Sequence, residues 1–432
     1  MRCVNPHRRL VDYGGSLGLH ERQACRSLPG HESEHGMRWS PYIRWTFPLV
    51  ACVGMALWAP LGAGAEPVHG ATAAAAFKVT HALAEADGSS VDAALTVGAD
   101  GRLYGTARHA GAHGGGTAFR LTPGGQLAVL HDFGDVGDGS QPNGLIQGAD
   151  GDFYGTTAAG GLNGLGTVFR MRPDGEVTLL HSFQADGSDG WTPMAGLLQA
   201  NDGHLYGTTR QGGTFGFGSV FRITLGGAHS IVHSFDNADG AYPATALIQA
   251  SDGRLYGTTY AGGRNRLGTA FAMHTGGYVK VLHAFGWRRP KGGHYPSALV
   301  EGPDGMLYGS TTTGGDATQH GMLFRLSRDG EFSVFHDFNP RHGGHRPVGV
   351  LHLGRDGQFY GVTAGGGIHD GGVVYRISLG GTYTLMHKFN PDGLDGRHPL
   401  AGLVELADGE FYGGTGANGA GGLGTLYRIR PK

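Results

Sequence analysis

Seven histidines recur at one place in a repeating segment: His81, His131, His181, His233, His283, His336 and His387. Histidine is the side chain that ligates metals and moves protons near neutral pH. Zinc, however, needs three or four donors converging at about 2 Å. One histidine per repeat on an outer strand would be spread around a rim, so these seven read as structural hydrogen-bonding groups. Acidic turns follow several of them, in the pattern D-x-x-D-G: Asp135/Asp138, Asp186/Asp189, Asp236/Asp239 and Asp392/Asp395. Such oxygens suit calcium, but Asp-Gly is also common turn chemistry. Turn formation is the expected role, with calcium as the one cofactor these residues would suit. A further match, His31-Glu32-Ser33-Glu34-His35, fits the zinc-protease pattern H-E-x-x-H. That chemistry needs a stable helix. Pro29-Gly30 precede the motif and no apolar helical face surrounds it, so it reads as coincidence.

Three loops depart from the acidic pattern. Trp287-Arg288-Arg289-Pro290-Lys291 replaces an acidic stretch, Arg341-His342-Gly-Gly-His345-Arg346 replaces the next, and Arg264-Asn265-Arg266 lies in a nearby glycine loop. Together they would form a cationic patch with an aromatic centre. Arginine beside tryptophan suits carboxylates and stacking on sugar rings. Trp287, Arg288, Arg289, Arg264, Arg266, His342, His345 and Arg346 are therefore the candidate ligand-binding residues. No nucleophile elbow and no phosphate loop accompanies them.

The elements that must position these residues follow from composition and period. Glycine makes up 84 of 432 residues. Glycine inside a strand or helix costs roughly 0.5–1 kcal/mol relative to alanine, so most must sit in turns between many short elements, as in an all-β protein. The marker Asp-Gly-x-(Leu/Phe)-Tyr-Gly places tyrosines at 104, 154, 206, 256, 308, 360 and 412, about 50 residues apart. A fixed period of this size signals a solenoid or propeller. Residues 142–189 read as four strands, with Asp150-Gly151 a hairpin turn whose two central positions need positive φ. Four strands per unit is a propeller blade. A fourth-strand segment, Phe77–Leu83, precedes the first marker, and the chain ends on a third strand, Gly424–Ile429. Pairing the two would close a seven-bladed β-propeller of four-stranded antiparallel blades over residues 74–432 and leave no open edge.

The unit D-G-x-L-Y-G-T-T-x-x-G-G-x-x-x-x-G-T-V-F-R, followed by L-H-S-F, resembles the GloVer (Gloeo-Verruco) tandem-repeat family of exported bacterial proteins. The resemblance covers everything after the leader segment. It implies export and a repeat architecture, and it brings no catalytic residues. Members often carry a C-terminal anchoring tail; this chain stops at Arg430-Pro431-Lys432, so surface anchoring is not expected.

The N-terminus has its own logic. Residues 37–65 carry Arg38 and Arg44, an apolar run from Leu49 to Ala59, and the small-residue site Ala63-Gly64-Ala65. That is the layout of a signal peptide, and the run is too short for a membrane span. Residues 1–36 read as a spurious extension with Met37 as the true start, and 66–73 as a linker. All three cysteines, Cys3, Cys25 and Cys52, precede the repeats, which therefore hold no disulfide. A net charge of −2 excludes a general nucleic-acid binder. The expectation is an exported monomeric scaffold, binding an acidic polysaccharide or a cell-surface protein. The other reading of the same patch is a polysaccharide lyase or hydrolase.

Overall fold

Strands here are apolar on both faces because each sheet is sandwiched between two others. In the computed structural model, which describes residues 76–432 apart from 135–136, 288–291, 316–318, 340–342 and 391–392, seven antiparallel sheets follow one another along the chain. They span 96–132, 140–182, 190–234, 248–284, 293–337, 345–388 and 404–430, and are called blades 1 to 7. In blade 2 the order from the axis outward is Ile146–Gln147, Phe153–Ala159, Thr167–Met171 and Val177–Ser182. Ser140–Pro142 extends the inner strand. The signal segment over 37–65, the 66–73 linker and the motif at 31–35 lie outside the described residues.

Blade 7 takes its fourth strand from the other end of the chain. Ala76–Ala82 pairs antiparallel with Thr425–Arg430, and Phe77 lies opposite Ile429. The ring closes as the repeat count requires.

Cores sit between blades, one per interface. Between blades 1 and 2, Tyr104, Phe133, Phe153, Phe169 and Met171 are buried together. The phenylalanine of each L-H-S-F segment meets an aromatic ring of the next blade: Phe133 with Phe169 at 5.0 Å, Phe183 with Phe221 at 5.4 Å, Phe389 with Tyr427 at 5.1 Å. Each such side chain contributes about 1.5–3 kcal/mol by burial alone, and only with both neighbours present.

The Asp-Gly hairpins differ from the expected two-residue turn. Around Asp100, Gly101 N–H donates to Gly98 O (2.9 Å), Gly98 N–H donates to Arg102 O (2.8 Å), and Gly101 takes a φ of 75° while Asp100 stays out of the left-handed region. This is a longer turn with one left-handed residue. The reason is the aspartate, whose Oδ1 accepts Arg102 N–H and whose Oδ2 accepts the Tyr104 hydroxyl, both at 3.0 Å. Glycine in D-x-x-D-G has a different cause. A Cβ on Gly139 (φ 103°) would lie 2.2 Å from Thr157 Oγ1.

Candidate functional site

The inner strands of the seven blades and the segments that lead into them line a channel of about 370 Å³. Each blade enters its inner strand from an inter-blade connection, so the connections and the glycine loops surround one mouth of this channel. At that entry the chain does the same unusual thing seven times. Ser90, Gln141, Thr192, Tyr242, Tyr295, Arg346 and His398 all adopt φ between 52° and 64°. None is glycine, and six of the seven precede proline. Residues before proline prefer extended backbone, and a non-glycine left-handed residue costs on the order of 1–3 kcal/mol. The strain recurs in every blade, while the side chain it carries varies, with only Tyr242 and Tyr295 alike.

A second ring pairs with the first. The residue four positions after each repeat tyrosine belongs to it, and three such residues bond the left-handed one directly: Arg108 N–H donates to Ser90 O (3.0 Å), Tyr260 N–H to Tyr242 O (3.2 Å) and Gly416 N–H to His398 O (2.9 Å). Members of the rings reach neighbouring blades. Arg108 donates to Gln141 Oε1 (3.4 Å). The Arg210 guanidinium lies over the Tyr260 ring, 5.8 Å from its centre. Tyr260 stacks on Tyr295 at 4.3 Å and 15°. From Tyr295 the line continues outward through His294, at 6.2 Å, to Trp287, 3.9 Å from His294. Tyr260 is 41% exposed and Trp287 69%, so both rings present surface to solvent.

One acid sits in this wall. Asp92 lines the channel beside Arg108. Burial pushes its carboxyl up, against the pull of Arg108 and a hydrogen bond from Ser90, and its Oδ1 is buried without a hydrogen-bond partner. Burial likewise lowers the His294 imidazole.

The seven repeated histidines lie on the outer strands. Five bond a carboxylate in the following turn: His81–Asp87 (2.9 Å), His131–Asp138 (2.9 Å), His181–Asp189 (2.8 Å), His233–Asp239 (2.7 Å) and His387–Asp395 (2.9 Å). His283 and His336 precede the two basic connections and stack on Phe332 (4.1 Å) and Tyr383 (4.6 Å) of the next blade. The second aspartate of D-x-x-D-G is thus a histidine anchor. The rim holds one departure. His229 stacks on His181 at 3.9 Å and 9°. Burial and His181 hold its imidazole down at about 4, against the pull of Asp189.

Residues 70–271 and 245–432 both match the Gloeobacter/Verrucomicrobia repeat. The chain belongs to that family. Among curated proteins nothing matches. Among solved structures, this Gloeobacter/Verrucomicrobia repeat protein is similar to the catalytically inactive virginiamycin B lyase of Staphylococcus aureus with quinupristin, at a TM-score of 0.57 and 15% identity over 82% of this chain and 99% of that one. It is also similar to the extracellular domain of a protein described as a hybrid two-component system of B. thetaiotaomicron, at 0.54 and 11% over 82% of this chain and 41% of that one. At these identities the likeness is one of fold.

The repeat protein distributes its sequence-predicted site residues over two inter-blade connections and one glycine loop. Arg264 and Arg266 are exposed in the blade 4 loop. That loop touches the end of the outer strand that leads to Trp287, since Asn265 Nδ2 donates to Ala284 O (3.1 Å). Arg288, Arg289 and His342 lie outside the described residues. His345 is held by Asp370 Oδ1 at 2.8 Å, so it is tied to protein. Arg346 is exposed and is itself one of the left-handed residues at the mouth. Sequence reasoning missed Arg108, Arg210, Tyr242, Tyr260 and Tyr295. Their signal was positional: the residue before each entry proline and the residue after each G-T-T vary while their neighbours repeat.

Proposed function

We propose that the protein is an exported, non-catalytic binding module that holds an acidic saccharide chain across the mouth of its channel. The observation that supports this reading is the aromatic line Trp287–His294–Tyr295–Tyr260, which runs from the rim to the mouth and ends under Arg210. Aromatic faces with polar tips suit sugar rings. Arg210 and Arg108 are forked donors matched to carboxylates. Asp92 would meet sugar hydroxyls. Arg264, Arg266 and His345 form the outer part of the same surface in this reading, and Arg346 joins them from the mouth. Export rests on the signal layout of residues 37–65, and no helix among the described residues is long and apolar enough to cross a membrane.

The test is native electrophoresis of the purified protein through gels containing acidic or neutral polysaccharides, stained afterwards for polymer. Retardation by an acidic polymer, weakened about tenfold in Tyr260→Ala, is expected, since one lost stacking contact is worth roughly 1.4 kcal/mol. Retardation unchanged in Tyr260→Ala and Trp287→Ala would move the site away from the mouth. A cleared zone around the band would replace binding with catalysis.

A further inference from the structure

The outer rim repeats one arrangement: a histidine on the fourth strand with a side chain of the next blade covering the imidazole, and in five copies the histidine also bonds a turn aspartate. The cover is Phe77 over His387, Phe332 over His283 and Tyr383 over His336. Between blades 2 and 3 the cover is His229 over His181. As a flat plate, an imidazole does what a phenyl ring does. It also brings a nitrogen that a phenyl ring lacks, and here that nitrogen is oriented toward the shared carboxylate. His229 Nε2 lies 3.7 Å from Asp189 Oδ1, and the two side chains are only 12% and 8% exposed. His229 Nε2 is buried with no hydrogen-bond partner, an unfavourable state for a polar atom.

The acceptor capacity of Asp189 points the same way. A carboxylate has about four lone-pair sites. Oδ2 accepts from His181 Nε2 (2.8 Å) and Gln184 N–H (3.2 Å), and Oδ1 accepts Gly190 N–H (2.7 Å). The remaining site is on Oδ1, the oxygen nearest His229. The donor atoms of His181, Asp189 and His229 lie within 4.8 Å of one another.

We propose that His181, Asp189 and His229 form a site for one divalent cation of the zinc type, set in the rim between blades 2 and 3. Two imidazoles and one carboxylate favour a borderline cation over calcium, which takes six or more oxygens. Zinc–ligand distances of about 2.0–2.2 Å require the donors to close in by roughly an ångström, through rotation of two rings at the edge of the protein. Water fills the fourth position from the solvent side. Coordination through His181 Nε2 takes the place of its hydrogen bond to Asp189, and the ring keeps its one proton on Nδ1.

The experiment is a calorimetric zinc titration of the chelator-stripped full chain beside its His229→Phe variant. Phenylalanine is the residue in this position in blades 5 and 7, so the plate is retained. Residues 31–35 and the exposed histidines are present in both proteins and cancel. The expected result is one more zinc equivalent in the wild type than in the variant, at micromolar affinity or tighter. Equal stoichiometry, or no uptake by either, overturns the proposal. Cobalt added to the wild type alone gives a second readout that no variant's folding can spoil. A visible absorption band of a four- or five-coordinate site is expected, and its absence also overturns the proposal.

Discussion

The two faces of the ring are built from the same repeat and behave in opposite ways. On the hairpin face blades 1 to 6 each make the same bond within their own turn, and only Tyr412 of blade 7 turns to Pro123 O and Glu410 instead. Tyr154, Tyr206, Tyr256, Tyr308 and Tyr360 donate to the aspartate four residues back at 2.6 to 2.8 Å. Neighbouring hairpins are laced together, as Gln147, Gln199 and Gln249 accept backbone N–H groups of the preceding blade at 2.7 to 2.9 Å. On the mouth face the backbone repeats, strain included, while the side chains do not. Positions repeat where a residue's neighbours are other repeats. They diverge where the neighbour is the channel. Variation confined to a strained, repeating backbone is what a binding surface on a rigid scaffold looks like.

The comparison can be broken at either face. Phe221→Ala, between blades 2 and 3, should have the largest effect: about 3–5 kcal/mol of stability lost in denaturant unfolding, with polymer retardation of the folded fraction unchanged. Asp202→Ala on the hairpin face orphans the Tyr206 hydroxyl and His204 N–H; a loss of roughly 1–3 kcal/mol is expected, again without effect on retardation. A weakened retardation in either variant would erase the division between faces.

Acid should act on the rim. Burial holds the His336 and His387 imidazoles below 6.5, the latter against Asp395. The unfolded chain therefore binds more protons than the folded one as pH falls through about 6.5. Stability is full above that pH and declines below it. The melting temperature should drop between pH 7 and pH 5, and His336→Phe should flatten that drop; an unchanged slope would remove His336 from the account. The smallest effect is expected at the mouth. Thr192→Gly relieves a β-branched residue at φ 57° and should stabilise by about 0.5–1 kcal/mol. Destabilisation there would mean that the left-handed ring is not strained.

Much of this was legible in the sequence because repetition multiplies weak signals. One Asp-Gly-x-Leu-Tyr-Gly predicts little, but seven fix the blade count, and the unpaired segment around Phe77 fixes the closure. The hairpin turn was misjudged because the Tyr104 hydroxyl, four residues on, selects the aspartate's backbone conformation, and turn rules ignore that partner. The mouth was missed for a geometric reason. Tyr242, Tyr260 and Tyr295 are scattered along the chain and converge only across blades, whereas Trp287-Arg288-Arg289 is conspicuous as a run. His229 was missed likewise, since it falls off the register of the seven repeated histidines.

The closing strand also has a consequence in time. Thr80 Oγ1 donates to Leu426 O, a partner 346 residues away. At roughly 5–20 residues per second of synthesis, the first strand made waits on the order of 20–70 s for its mate. Throughout that interval the last blade has no outer strand, and the first strand has no sheet. Two nascent copies side by side can satisfy each other as readily as themselves. The seam that removes the edge from the finished ring is therefore the place where crowded chains would join into exchanged dimers.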